Sequence, residues 1–155
     1  MLTTATVRDH GHIDEATATR IAELWNATYP TMRAVATARI SAYRTQVAEK
    51  AWEVDPNHPH ADDLRAFLPT EAKTRRRLKN AETLRRELGQ LDRGTHRACT
   101  FSPGGFSVFS AYAAVRRLLA ATSLNDHGLA AVYGLAAALA DASDELMAAR
   151  TQPAA

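Results

Sequence analysis

TEAKTRRRLKNAETLRRELGQLD, residues 70–92, has the spacing of an amphipathic helix. At about 100° per residue, Ala81, Leu84, Leu88 and Leu91 share one stripe, with Leu78 at its edge. Arg75, Lys79 and Arg86 fall nearly opposite, flanked by Arg76, Thr83 and Gln90. Such a helix asks for a core on one side and for water or an anion on the other. Thr70 suits its N-cap, and Gly89 and Gly94 signal its end.

Upstream, residues 1–12 read as a polar, unpatterned arm. A helix starts near Ile13, with Asp14 and Glu15 suited to its positive end, and Ile21, Leu24, Trp25 and Thr28 line one face. Pro30 implies either a kink or a second helix beginning there. Over 31–54, Met32, Ala36, Ile40, Tyr43, Val47, Ala51 and Val54 recur at helical spacing. Ala34, Ala38, Ser41, Thr45 and Ala48 make an opposite face of small residues. The two faces together place this helix in the middle of a bundle. A proline-containing loop over 55–63 and a short helix over 61–68 complete this half.

Downstream, 93–107 (RGTHRACTFSPGGFS) is the longest irregular stretch. A helical hairpin follows. Ser107 caps its first helix, whose stripe is Val108, Ala111, Tyr112, Val115, Leu118 and Leu119. Asp126 caps the second, whose buried side is Leu129, Val132, Leu135, Leu139, Leu146 and Met147. Ala130, Gly134 and Ala138 lie on a different side, where Gly134 would let another backbone approach. No alternating strand pattern occurs, so the expectation is an all-α, single-domain helical bundle of about five to six helices. It occupies residues 13–149, between the arm and a C-terminal tail, 150–155.

With 155 residues the chain can bury a core without disulfides or metals. The lone Cys99 fits a reducing compartment, and neither a secretion signal nor a bilayer-spanning stretch is evident, so a cytoplasmic location without membrane contact is expected. The formal charge is only +2. Anion binding must therefore come from uneven placement of charge. Residues 71–97 supply that, with nine Lys/Arg against four Asp/Glu.

The candidate nucleic-acid-binding set is Lys73, Arg75, Arg76, Arg77, Lys79, Arg86, Arg93 and Arg97, with Arg85 alongside. A helix carrying these along a phosphate backbone gains sequence-independent affinity by releasing counterions. A solvated face is the competing reading, with Glu82 able to pair with Arg86 or Arg85. Arg77 and Lys73 argue against it, because they extend onto the leucine side, where cations do not belong. In the 93–107 loop and just past it, Phe101, Phe106 and Phe109 follow Arg93, His96 and Arg97. Aromatics beside cations can stack on bases, or plug the end of a bundle.

No metal site is expected from His58, His60, Asp62 and Asp63, which crowd one loop without a second cluster. No cofactor or catalytic residue is expected either. Cys99 lacks a base and an orienting partner, and phosphate-binding glycine loops, opposed catalytic carboxylates and H-E-x-x-H are missing. A helix-turn-helix reading of 129–144 fails, because Ala137, Ala138, Asp141 and Asp144 would meet bases with alanines and phosphates with carboxylates.

In size, helical content and its cationic KTRRRLK and RELGQLDRGTHR stretches, the chain resembles the small helical subunits of CRISPR ribonucleoprotein effector complexes. The resemblance covers residues 13–149 at the level of architecture. It implies a non-enzymatic RNA- and DNA-binding role in antiviral defence. The implied partners are guide RNA, a target strand, other protein subunits and copies of the chain itself. The rival expectations are a helical adaptor or homo-oligomer using the small-residue faces, and a helical enzyme or small-molecule binder with an interhelical pocket.

Overall fold

The computed structural model describes residues 1–8, 13–120 and 129–152. These fold as an all-α bundle: α1 (Thr4–Arg8), α2 (Glu15–Ala48), α3 (Ala61–Phe67), α4 (Glu71–Asp92), α5 (Val108–Ala120) and α6 (Ala130–Thr151). No strand occurs among the described residues, only a bridge between His96 and Gly105.

The 34-residue α2 is the spine, packing against α1, α4 and α6, while α5 packs on α6 and α4. Asp14 caps α2 by accepting the Thr17 N–H at 2.8 Å, and that bond holds its carboxyl below the usual range. The helix passes through Pro30 without interruption, and Pro30 is exposed. A proline inside a helix costs about 3 kcal/mol. Burial of Trp25 and Met32 on either side of Pro30 offsets that cost and settles the choice between one helix and two.

The core is built from Ile21, Trp25 and Met32 of α2, Leu84, Leu88 and Leu91 of α4, Val115 and Leu118 of α5, and Leu135 and Leu139 of α6. Trp25 is its hub. Its indole N–H donates to Asp92 Oδ1 at 3.0 Å, Phe106 meets its ring edge-on at 5.4 Å, and Tyr29 stacks at 6.1 Å. A buried indole needs such an acceptor, and here the acceptor lies at the last residue of α4.

Several sequence expectations are corrected. The arm is docked over 1–8: Leu2 and Val7 join the core, and the Leu2 backbone exchanges two 2.8 Å bonds with the Asn26 side chain. Two apolar residues were enough to seat a segment too short to show periodicity. The helix expected over 31–54 stops at Ala48, where Lys50 turns left-handed (φ 49°) and the Ala51 N–H closes on Gln46 O at 2.9 Å. Gly94 (φ 65°) ends α4 in the same way, with the Thr95 N–H on Gln90 O. Gly89 instead lies buried within α4, beside Tyr29.

The faces are also less symmetric than expected. Ala34, Ala38, Ser41, Thr45 and Ala48 are exposed, so α2 is packed through its Met32, Ala36 and Ile40 side. Gly134 has open space around it among the described residues, and Met147 is half exposed. The last helix runs to Thr151, into the expected tail. Ser107 sits where a cap is needed, with the Ser110 N–H 3.4 Å from its hydroxyl, whereas the expected Asp126 cap lies outside the described residues.

Trp25→Phe, which removes the indole donor to Asp92 Oδ1 and leaves only the Met1 ammonium 3.6 Å from Oδ2, should lower unfolding free energy by about 1–3 kcal/mol in urea titrations, with an unchanged slope. Gly94→Ala places a Cβ 2.8 Å from Thr6 Cγ2 at a left-handed residue. It should cost about 1–2 kcal/mol or more by the same measurement.

Candidate nucleic-acid interface

The Trp25–Asp92 bond starts an antiparallel register between α2 and α4. Moving away from it, Tyr29 lies opposite Gly89, Arg44 pairs with Glu82 at 3.1 Å, and Arg75 sits 5.6 Å over the Trp52 ring. Burial thins along the same path. On α2 the last buried residue is Ile40, and on α4 only Thr74 is buried before Ala81. The outer half of this helical pair is thus solvated on most sides, which explains how α4 tolerates cations on its leucine stripe.

One flank of the pair is a groove. Three adjoining depressions share walls: Tyr29 and Arg33 line two, Thr37 and Ser41 line two, and Arg85 lines two. Into this groove come Arg33 and Arg44 from α2, Arg85 and Arg86 from α4, and Arg93 from the α4 cap. The exposed small residues of α2 form its shallow floor. The lining carries a single carboxylate, Glu82, and that is paired with Arg44 rather than with Arg86 or Arg85. The pairing expected within α4 is therefore replaced by one between helices, which leaves Arg86 without a carboxylate among the described residues. At about 1.5 Å per residue, the α2 side from Tyr29 to Ala48 is roughly 28 Å long, enough to follow several phosphates.

The sequence-derived residues divide by position. Arg86 and Arg93 enter the groove. Lys73, Arg76 and Lys79 are exposed and have no ion-pair partner among the described residues. Arg75 is committed to Glu71 at 3.0 Å as well as to Trp52, so it belongs to the fold more than to a ligand. Arg77 faces a different recess, shared with Arg39 and Arg117. Arg97 is exposed in the loop after α4. Arg33, Arg44 and Tyr29 were missed. The available signal was that Arg33 and Arg44, eleven residues apart, fall on one side of a helix.

The aromatic set does not act as one platform. Phe106 is wholly buried against Trp25, Phe109 is half-buried with Arg150 5.0 Å above its ring, and Phe101 is 97% exposed. Phe106 plugs the core because Gly105 bridges back to His96 (N–H to O, 2.9 Å) and turns the chain inward. Of the three phenylalanines, Phe101 alone is exposed. Beside it, the Cys99 Sγ lies 3.0 Å from Ser102 Oγ; the Ser102 hydroxyl, then the N–H groups of Phe101 and Ser102, hold the thiol below its usual pKa.

Among the described residues no group of His, Cys, Asp and Glu is arranged to hold a metal ion, and no helix is long and apolar enough to cross a membrane. Fold and site together describe a helical bundle that projects a cationic two-helix groove. No family model, curated protein or solved structure matches the chain.

Because Ser102 stabilises the Cys99 thiolate, Ser102→Ala should raise the thiol pKa. At neutral pH, where thiolate fraction sets the rate, alkylation by iodoacetamide should be slower in the variant, and the two rates should converge at high pH.

Proposed function

We propose that this protein is a non-enzymatic subunit that binds a nucleic-acid backbone in the α2–α4 groove. The observation that carries this reading is the convergence of Arg33, Arg85, Arg86 and Arg93 on one depression whose only carboxylate is paired elsewhere. Arginine suits the task, since its planar fork binds phosphate oxygens in pairs and is always charged. Lys73, Arg76 and Lys79 extend the positive field along the outer face of α4. The shallow, small-residue floor favours a backbone over inserted bases, so binding is expected to be tolerant of sequence. Tyr29 and the exposed Phe101 offer limited stacking at one end.

As the particular assembly, we propose a CRISPR ribonucleoprotein effector complex, in which the chain is the small helical subunit in the cytoplasm. Size, all-α architecture and a cationic groove support that assignment. In such a complex, the exposed apolar residues Leu64 and Phe67 of α3, Leu68 just after it, and Tyr133 and Met147 of α6 would meet neighbouring subunits. Those same residues favour the second reading, a helical adaptor that contacts protein alone.

Fluorescence anisotropy with single- and double-stranded oligonucleotides over a salt series separates the two. Wild type should bind at low salt, with log Kd depending linearly on log salt. Arg33→Glu/Arg86→Glu should weaken binding and reduce the slope by roughly 0.7–0.9 for each contact removed. A wild type without affinity at low salt, or a variant with an unchanged slope, would refute the groove and leave the adaptor.

A further inference from the structure

Besides its arginines, the depression at the inner end of the groove is lined by two groups with unused hydrogen-bonding capacity, the Tyr29 hydroxyl and the Glu82 carboxylate. We infer that these two groups meet the 2′-hydroxyls of a bound strand, so that the groove takes RNA in preference to DNA. The inference rests on the groove as a backbone site and adds which backbone it takes.

Tyr29 is held before any ligand arrives. Its ring stacks on Trp25 at an interplanar angle of 15°, and Trp25 is itself buried and bonded to Asp92. The Tyr29 hydroxyl oxygen lies 3.7 Å from the point where a Cβ on Gly89 would stand, and Arg93 Nη1 lies 3.3 Å from the same point. The hydroxyl therefore sits in the groove wall close to a guanidinium group, and it makes no hydrogen bond among the described residues. Glu82 is half-buried in the same depression. Arg44 donates to its Oε1 at 3.1 Å, while its Oε2 receives no hydrogen bond among the described residues. Arg33, Arg85, Arg86 and Arg93 complete the lining, and none of them has an ion-pair partner among the described residues.

These groups divide a strand between them. Guanidinium groups take phosphate oxygens. A carboxylate cannot, because it accepts hydrogen bonds without donating any and is repelled by a second anion. What it can meet on a sugar–phosphate backbone is a hydroxyl, and inside a strand only ribose carries one, at C2′. A phenol hydroxyl donates as well as accepts, so it pairs with the same group. Glu82 lies seven residues before Gly89 on α4, which puts it roughly 10 Å along the helix from the Tyr29 hydroxyl, so the two meet different sugars. A DNA strand in the same place leaves both groups without a partner, and sets the Glu82 charge near its phosphates with no hydrogen bond in return.

The test is fluorescence anisotropy of the full chain with three single strands of one sequence built from A and C, so that they differ only at C2′: RNA, DNA and 2′-O-methyl RNA. Wild type should bind RNA at least about fivefold tighter than DNA, and 2′-O-methylation, which blocks the donor, should abolish that preference. Tyr29→Phe keeps the ring on Trp25, and Glu82→Ala removes the acceptor. Each should lower the RNA-to-DNA affinity ratio by about twofold or more, and the double variant should bring it close to one. DNA affinity should not fall in these variants, which also shows that they are folded. Arg33→Glu/Arg86→Glu should instead weaken RNA and DNA alike. Equal wild-type affinity for the two strands, or a preference that survives 2′-O-methylation or the double variant, overturns the inference and leaves the groove standing. A wild type that binds neither strand brings down both.

Discussion

A single hydrogen bond, from the buried Trp25 indole to Asp92, sets the register on which the rest of the molecule depends. In a low-dielectric interior that donor must be satisfied, and the acceptor it finds is the last residue of α4. The bond thereby pins the end of one long helix to the first third of another, with Phe106 closing against the same ring. Everything further out follows from two rigid helices leaving this point in antiparallel register. Gly89 of α4 lies beside Tyr29, and the Arg44–Glu82 pair and the Arg75–Trp52 contact lie further along. Neither outer contact is worth much alone, since both are solvent-exposed.

The consequence is a strong local charge in a protein of little net charge. Arginines from two helices that are distant in sequence share one groove, which raises the free energy of the unliganded surface through like-charge repulsion. Exposure and salt screening keep that cost modest. A bound anion would relieve it, and this is the physical basis of the proposed binding role. Glu82 sharpens the contrast. By reaching across to Arg44 it neutralises one groove arginine and leaves its neighbours on α4 available.

Much of this was legible before any coordinates. The leucine spacing of residues 70–92 identified a helix with one buried side, and Ala81, Leu84, Leu88 and Leu91 are buried as that spacing requires. Thr70 and Gly94 marked its ends, because a side-chain acceptor and a left-handed residue are local needs that local sequence meets. The misplacement of Arg77 on the leucine side was also visible, though not its reason, which is a recess rather than a core. Less was legible where a residue's fate depended on a distant partner. Phe106 and Phe101 look alike in sequence, yet one is buried beneath Trp25 and the other stands in water, as decided by the His96–Gly105 bridge.

Periodicity and composition were sufficient for the all-α class, the amphipathic α4, the irregular stretch after it and the concentration of cations, because each reflects interactions within a few residues along one helix. Tertiary structure alone decided that Leu2 and Val7 would be buried, that α2 would run through Pro30, and that its small-residue side would remain open. It also decided that Arg33 and Arg44 would join Arg85, Arg86 and Arg93 around one groove. The physical reason is that side-chain spacing along a helix specifies which residues share a face, whereas the neighbour that face meets depends on contacts closed across the whole chain.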